Sequence, residues 1–79
     1  MDAVLLNRLR WRCRRGRLEN DLILARFLDA RGETMNVDEV AMLDRLLELG
    51  DDDLWNVLAG RVEPDDPMLR PMIAALRAA

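Results

Sequence analysis

The side chains that could do chemistry are few in this sequence, and they concentrate near its beginning. Six of the twelve arginines lie between Arg8 and Arg17, together with Trp11 and Cys13. The sequence has no His, Lys, Tyr, Ser or Gln, and it has one Thr and one Cys. Imidazole bases, lysine Schiff bases and serine or tyrosine chemistry are therefore excluded, and one cysteine cannot complete a Cys/His zinc site. The remaining carboxylates, guanidinium groups and single thiol equip an independent enzyme poorly.

The charges divide the chain into two unequal parts. Residues 1–17 carry six arginines and one aspartate, a net charge of +5, whereas residues 18–79 carry six arginines and fourteen acids, a net charge of −8. The acidic body would repel the phosphates that the basic end attracts, so no nucleic-acid partner is expected. A small nucleic-acid binder that uses the arginine run is kept as an alternative, and recognition of another protein is favoured.

Length and composition indicate one small helical domain, spanning residues 1–79. Half of the residues are apolar, which is enough for one core, and Leu, Ala and Met outnumber the β-branched residues. No stretch resembles a signal peptide, a transit peptide or a transmembrane segment, so no membrane insertion is expected. A single cysteine is typical of a reducing cytoplasm, which is the expected location.

Periodicity and capping residues predict an all-α, compact bundle of five short helices without strands. The first helix is predicted from about Ala3 to Arg15. Gly16 follows at the position where a helix commonly ends in a left-handed turn, a conformation that glycine adopts without steric cost. The predicted buried stripe of this helix consists of Leu5, Leu6, Leu9 and Cys13.

The second helix is predicted from about Leu18 to Ala30, with acceptors and negative charge in its first turn at residues 19–21. The third is predicted to begin at Asn36, which forms a capping box with Glu39, and to end at Gly50. The buried face of the second helix is predicted to contain Leu18, Leu22, Ala25 and Leu28, widened by Ile23 and Phe27.

The fourth helix is predicted to follow the acidic run 51–53, and the fifth to begin near Leu69 or Arg70 with Pro71 in its first turn. The alternative for the fifth is a start at Pro67 and a bend at Pro71. The acidic run lacks the spacing of a calcium loop and is interpreted as a helix cap.

Trp11 is predicted to point away from the buried stripe of the first helix, on a face that it shares with Val4, Arg8 and Arg15. An exposed tryptophan flanked by arginines has the composition of a hot spot at a protein interface. The alternative is that Trp11 folds back over the third or fourth helix and that the arginines only solvate the surface. Cys13, by contrast, is expected to be a buried core residue.

The corner between the first two helices allows two interpretations. In the structural one, Gly16 ends a helix and Glu19 caps the next helix while it pairs with Arg15. In the functional one, the tight turn holds Arg15 and Glu19 close together and presents both to a partner.

The segment 15–19, Arg-Gly-Arg-Leu-Glu, resembles the R-G-x-x-E motif of the small bacterial assembly factors for the flavoprotein subunit of succinate dehydrogenase. The similarity extends to Trp11, Cys13 and Arg14 before the motif, to Asp21 after it, and to residues 46–48 and 52–56. The chain departs from the family pattern at Asn20, where an aliphatic residue is usual, and in its last helix. The lack of a transit peptide indicates a bacterial member.

This resemblance implies an assembly factor, or chaperone, that promotes covalent attachment of FAD to a histidine of the succinate dehydrogenase flavoprotein, with the fumarate reductase flavoprotein as a further client. It implies no enzyme activity of its own and no stably bound cofactor, because FAD acts on the client. An antitoxin-like or regulatory protein-binding module is the alternative. The partner-binding residues implied by position are Arg8, Trp11, Arg15, Gly16, Glu19 and Asp21.

Overall fold

The computed structural model describes residues 2–14 and 16–79, and it contains five α-helices and no strand within these ranges. Two short 3-10 turns, Gly32–Thr34 and Pro67–Leu69, follow the second helix and precede the fifth. No helix in the described part of the chain is long and apolar enough to cross a membrane. The all-α prediction is confirmed, with α1 at Ala3–Arg12, α2 at Leu18–Arg31, α3 at Val37–Leu46, α4 at Asp51–Leu58 and α5 at Arg70–Ala78.

The centre of the core lies where α2, α4 and α5 pack against one another. α3 packs on α5, and α1 lies against the 3-10 turn that follows α2. Removal of these apolar side chains from water supplies the main driving force for folding. The largest fully buried apolar side chains are Phe27, Leu24, Leu28, Leu43, Leu46, Leu54, Met72 and Leu76.

α1 approaches the end of α2 closely because Gly32 has no side chain. A Cβ atom on Gly32 would lie 2.7 Å from Cδ1 of Leu6, which is closer than packed atoms allow. Leu6, Leu9 and Cys13 are buried, as predicted, but Leu5 is 48% exposed and its predicted burial is wrong. The reason is that α1 meets the rest of the protein along a narrow stripe, and Leu5 lies about 100° away from Leu6 around the helix.

The predicted buried face of α2 is wrong for three of its six residues, and Ile23, which was predicted to widen it, is partly buried against the core. Leu18 and Leu22 are 67% and 46% exposed, and Ala25 is exposed as well, whereas Phe27 and Leu28 are buried as predicted. The face that packs against α4 and α5 contains Asn20, Leu24, Phe27 and Leu28, which follow the helical spacing i, i+4, i+7 and i+8. Because the polar residue Asn20 occupies one position of this buried face, the pattern of apolar residues alone indicates the neighbouring face.

The local signals at the ends of the later helices predict the structure well. The capping box is present, since the Glu39 amide donates to Asn36 Oδ1 at 2.8 Å and the Asn36 amide donates to Glu39 Oε1 at 3.1 Å. α5 begins at Arg70 with Pro71 in its first turn, as favoured above. Gly50, however, precedes α4 as its N-cap and does not end α3, which stops at Leu46.

Asn20 is a fully buried polar residue and joins the start of α2 to the start of α4. Its Nδ2 donates a hydrogen bond to the backbone carbonyl of Asp51 at 3.0 Å. Its Oδ1 is buried and accepts no hydrogen bond from any described residue. A neutral amide is therefore tolerated at this position, and a negative charge would not be, because no donor compensates its desolvation.

The variant Asn20→Asp should destabilise the protein by about 2–4 kcal/mol at neutral pH, because it buries a carboxylate beside an accepting carbonyl. Burial raises the pKa of the introduced carboxyl in the folded state, so the penalty should shrink as pH falls and the group is protonated. Urea unfolding followed by circular dichroism at about pH 7 and about pH 4 measures both effects. The control is Asn7→Asp at an exposed position of α1, and equal stability of the two variants at neutral pH would contradict the assigned burial.

Candidate functional site

The exposed side of α1 carries two of the residues that the sequence assigned to partner binding, Arg8 and Trp11. Trp11 is 71% exposed, Val4 is 58% exposed, and Arg8 is exposed between them. We call Val4, Arg8 and Trp11 the Trp11 face. The outward orientation of Trp11 is confirmed, and the alternative in which it folds back over the core is wrong. A large amphipathic ring left in water on a domain this small has the character of an interface anchor.

The arginine run divides into residues that the fold pairs and residues that it leaves open. Of the arginines that the structure describes in this run, three form ion pairs with carboxylates of the acidic body and so fasten the basic end to the domain. These pairs join Arg10 to Asp29 at 2.8 Å, Arg12 to Asp44, and Arg17 to Asp52.

Arg8 and Arg14, three residues before and three residues after Trp11, differ from those three arginines. Among the described residues, no carboxylate lies within ion-pair distance of Arg8 or Arg14. The Arg14 guanidinium carbon lies 5.2 Å from the centroid of the Trp11 ring, a cation–π geometry. The surface around the tryptophan is therefore cationic, and it is suited to carboxylates or planar polar groups of another molecule.

The turn after α1 differs from its prediction in one respect. The helix ends at Arg12, with Cys13 as its C-cap, and Gly16 lies three residues beyond that cap. Gly16 has φ 100°, so the expected positive φ is confirmed, although this residue does not itself terminate the helix. A Cβ atom there would meet nothing within 4 Å, which leaves the backbone at Gly16 open to close approach by a partner.

The residues after Gly16 are drawn together by polar contacts. We call residues 16–19 the Gly16 turn. The Gly16 amide donates to Asp21 Oδ2 at 3.4 Å, so Asp21 reaches back to the turn. Glu19 has an exposed side chain whose Oε2 lies 3.5 Å from Nε of Arg17. Arg15 lies outside the described residues, so its predicted pairing with Glu19 stays a prediction, and the N-cap of α2 is Arg17, not Glu19.

Sequence reasoning missed the part that α4 plays in this site. The Arg17 guanidinium carbon lies 5.8 Å from the centroid of the Trp55 ring, in addition to its ion pair with Asp52. Trp55 packs against the core, and it also supports Arg17. The acidic run 51–53 was the available signal, and it forms the first turn of α4. Nothing in its local spacing pointed to Arg17.

Nothing in the described residues adds a nucleophile or a metal centre to this surface. Cys13 is 4% exposed, so its predicted role in core packing is confirmed. In residues 2–14 and 16–79, no group of three or more Cys, Asp or Glu side chains could hold a metal ion. The described residues instead provide the exposed ring of Trp11, two arginines without a carboxylate partner among them, and the Gly16 turn. Such features serve to recognise another molecule.

Comparison with known proteins assigns this chain to a family. A family model described as "flavinator of succinate dehydrogenase" matches residues 7–79, a range that contains Arg8, Trp11 and the Gly16 turn. The chain is 45% identical to the FAD assembly factor SdhE of Ralstonia nicotianae over 75 residues, covering 90% of this chain and 79% of the relative. It is 44% identical to that of Methylococcus capsulatus over 71 residues, with 90% and 86% covered.

A more distant relative extends the match further along the chain. The FAD assembly factor SdhE of Coxiella burnetii is 31% identical over 76 residues, covering 96% of this chain and 93% of the relative. No solved structure gives a significant match. The matched range, the identities and the coverage leave one conclusion: the chain belongs to the family of succinate dehydrogenase flavinators.

Proposed function

We propose that this chain is an assembly factor that binds the flavoprotein subunit of succinate dehydrogenase and promotes covalent attachment of FAD to a histidine of that subunit. The observation that carries the proposal is the match to the flavinator family over residues 7–79. The chemically related fumarate reductase flavoprotein is proposed as a second client. The cytoplasm is the proposed place of action, in keeping with a single, buried cysteine.

The proposed docking surface consists of the Trp11 face, Arg15 and the Gly16 turn. The residues proposed to contact the client are Arg8, Trp11, Arg15, Gly16 and Glu19. Three features support it. Trp11 is exposed, Arg8 and Arg14 have no carboxylate partner within the described residues, and the Gly16 backbone is open. Asp21 contributes through its contact with the Gly16 amide.

The proposed contribution to flavin attachment is positioning. The chain has no histidine, lysine, serine or tyrosine, so the reacting imidazole belongs to the client. Holding mobile parts of an immature protein in a reactive arrangement accelerates a reaction without a covalent intermediate on the factor. On this view the factor is not an enzyme with a catalytic residue of its own.

FAD is proposed to be held by the client and not stably by this chain. The cavity beside the turn is lined by Arg10, Cys13, Arg14 and Asp21 and has a volume of about 120 Å³. Pockets that enclose cofactor-sized ligands usually have about 300 Å³ or more. This cavity, which adjoins the proposed docking surface, is therefore too small to enclose FAD, in keeping with a flavin that is seated in the client.

The charge arrangement also supports a protein client over a nucleic acid. Arg10, Arg12 and Arg17 are occupied by carboxylates of the same chain, so the run offers phosphates much less positive charge than its composition indicates.

Replacement of Trp11 by alanine should weaken binding of the flavoprotein subunit about 30-fold, because exposed tryptophans at interface centres are frequent hot spots. The free energy of unfolding should change by no more than about 0.5 kcal/mol, because the ring makes few contacts in the free protein. Titration calorimetry with flavoprotein purified from cells that lack the factor measures the first quantity. Met68→Ala, which removes an apolar side chain that is 74% exposed elsewhere, is the matched control. An unchanged affinity for the Trp11 variant would remove Trp11 from the site.

The variant Gly16→Leu should leave a folded helical protein but a client without covalent flavin. A leucine would have to adopt the positive φ of this position, a strain of about 1–3 kcal/mol, and its side chain would occupy the space that a partner backbone would approach. The control is Gly60→Leu, since Gly60 has φ 80° and bears the same backbone strain away from the site. In-gel flavin fluorescence of the client, in cells without any other factor, is the measurement. Normal covalent flavin with the Gly16 variant would contradict the proposed role.

A further inference from the structure

The Gly16 turn is fastened to α4 through the side chain of Arg17. The guanidinium group forms an ion pair with the Asp52 carboxylate, and its central carbon lies 5.8 Å from the centroid of the Trp55 ring. Its Nε lies 3.5 Å from Oε2 of Glu19, the last residue of the turn. One side chain therefore connects the first turn of α4 to an acid assigned to client binding.

The burial of Arg17 indicates that its side chain lies along the protein surface and does not extend into solvent. The side chain is 33% exposed, whereas the next residue, Leu18, is 67% exposed. Nε of Arg17 is buried and donates no hydrogen bond to any described residue. The nearby Glu19 carboxylate is held by Coulomb attraction to this unsatisfied N–H group, which favours one orientation of the acid.

We propose that Arg17 and Asp52 are positioning residues: they anchor the Gly16 turn on α4 and hold Glu19 in the orientation that the client meets. The inference rests on the function proposed above and extends it to a helix that contains no motif residue. Asp52 touches Arg17 and acts through it, and Arg17 in turn acts on Glu19.

The physical reason is preorganisation. Gly16 and Arg17 lie outside the helices, just before α2 begins at Leu18, so fixing their backbone in one arrangement costs conformational entropy. A turn that already has its bound conformation loses less entropy on binding, and its affinity is higher for the same contacts.

The ion pair is better suited to orientation than to stability. The Asp52 side chain is 88% exposed, and exposed ion pairs contribute little to the free energy of unfolding. α2 is held on α4 by a separate contact, the hydrogen bond from Asn20 to the Asp51 carbonyl. The pair can therefore be removed while the two helices stay packed, which makes its role separable by experiment.

The test uses a double-mutant cycle with Asp52→Ala and Arg17→Met, read out as affinity for the flavoprotein subunit and as covalent flavin in the client. We expect Asp52→Ala to weaken binding about fivefold and Arg17→Met about tenfold, with the double variant no weaker than Arg17→Met alone. Asp52→Glu, which retains a carboxylate for Arg17, should restore most of the affinity.

The matched control is Asp53→Ala. Asp53 has the same charge, lies in the same first turn of α4, and forms no ion pair with Arg17. Its replacement changes the helix dipole interaction equally and should leave client binding at the level of the unmodified chain. Urea midpoints of all variants should stay close to that of the unmodified protein.

Two results would overturn the inference. If Asp52→Ala binds the client as well as Asp53→Ala does, the anchor has no effect on presentation of the turn. If the effects of Asp52→Ala and Arg17→Met add, each residue contacts the client directly and neither acts through the other. Failure of the unmodified chain to bind the flavoprotein would instead refute the proposed function, so the two failures are distinguishable.

Discussion

The packing of the start of α2 against the start of α4 is the contact on which the proposed docking surface depends. Asn20 donates to the Asp51 carbonyl, Arg17 pairs with Asp52, and both contacts lie within four residues of Gly16. A chain of 79 residues buries only about 60% of its unfolded surface, so few contacts are available to fix any one segment. This junction joins the Gly16 turn to α4, whereas α1 is seated separately by the ion pairs of Arg10 with Asp29 and of Arg12 with Asp44.

The uneven distribution of charge has two roles in this fold. Arg10, Arg12 and Arg17 use the acids of the body to seat the first helix and its turn, at sites that are partly exposed. Arg8 and Arg14, which flank the exposed ring of Trp11, have no carboxylate partner among the described residues. A count of charges along the sequence cannot separate these groups, because the separation depends on which arginines face an acid after folding.

Features that depend on neighbours within one helical turn could be predicted from the sequence. The Asn36–Glu39 capping box, the position of Pro71 in α5 and the outward side of Trp11 are of this kind. The buried face of α2 could not, because Asn20 takes a core position by virtue of a carbonyl 31 residues away. The support of Arg17 by α4 could not be predicted either, since its partner Asp52 lies 35 residues further along the chain.

The small number of reactive side chains in this family member supports the proposed role in positioning the client. The chain has no imidazole or amine side chain for covalent catalysis, so the proposed mechanism assigns its effect on flavin attachment to the way it holds the client. An error of about 1 Å in such an arrangement can lower a rate about a hundredfold. If the proposed positioning role of Arg17 and Asp52 holds, residues that orient the turn are under nearly the same physical demand as residues that touch the client, and Asp52 lies on a helix that contains no motif residue.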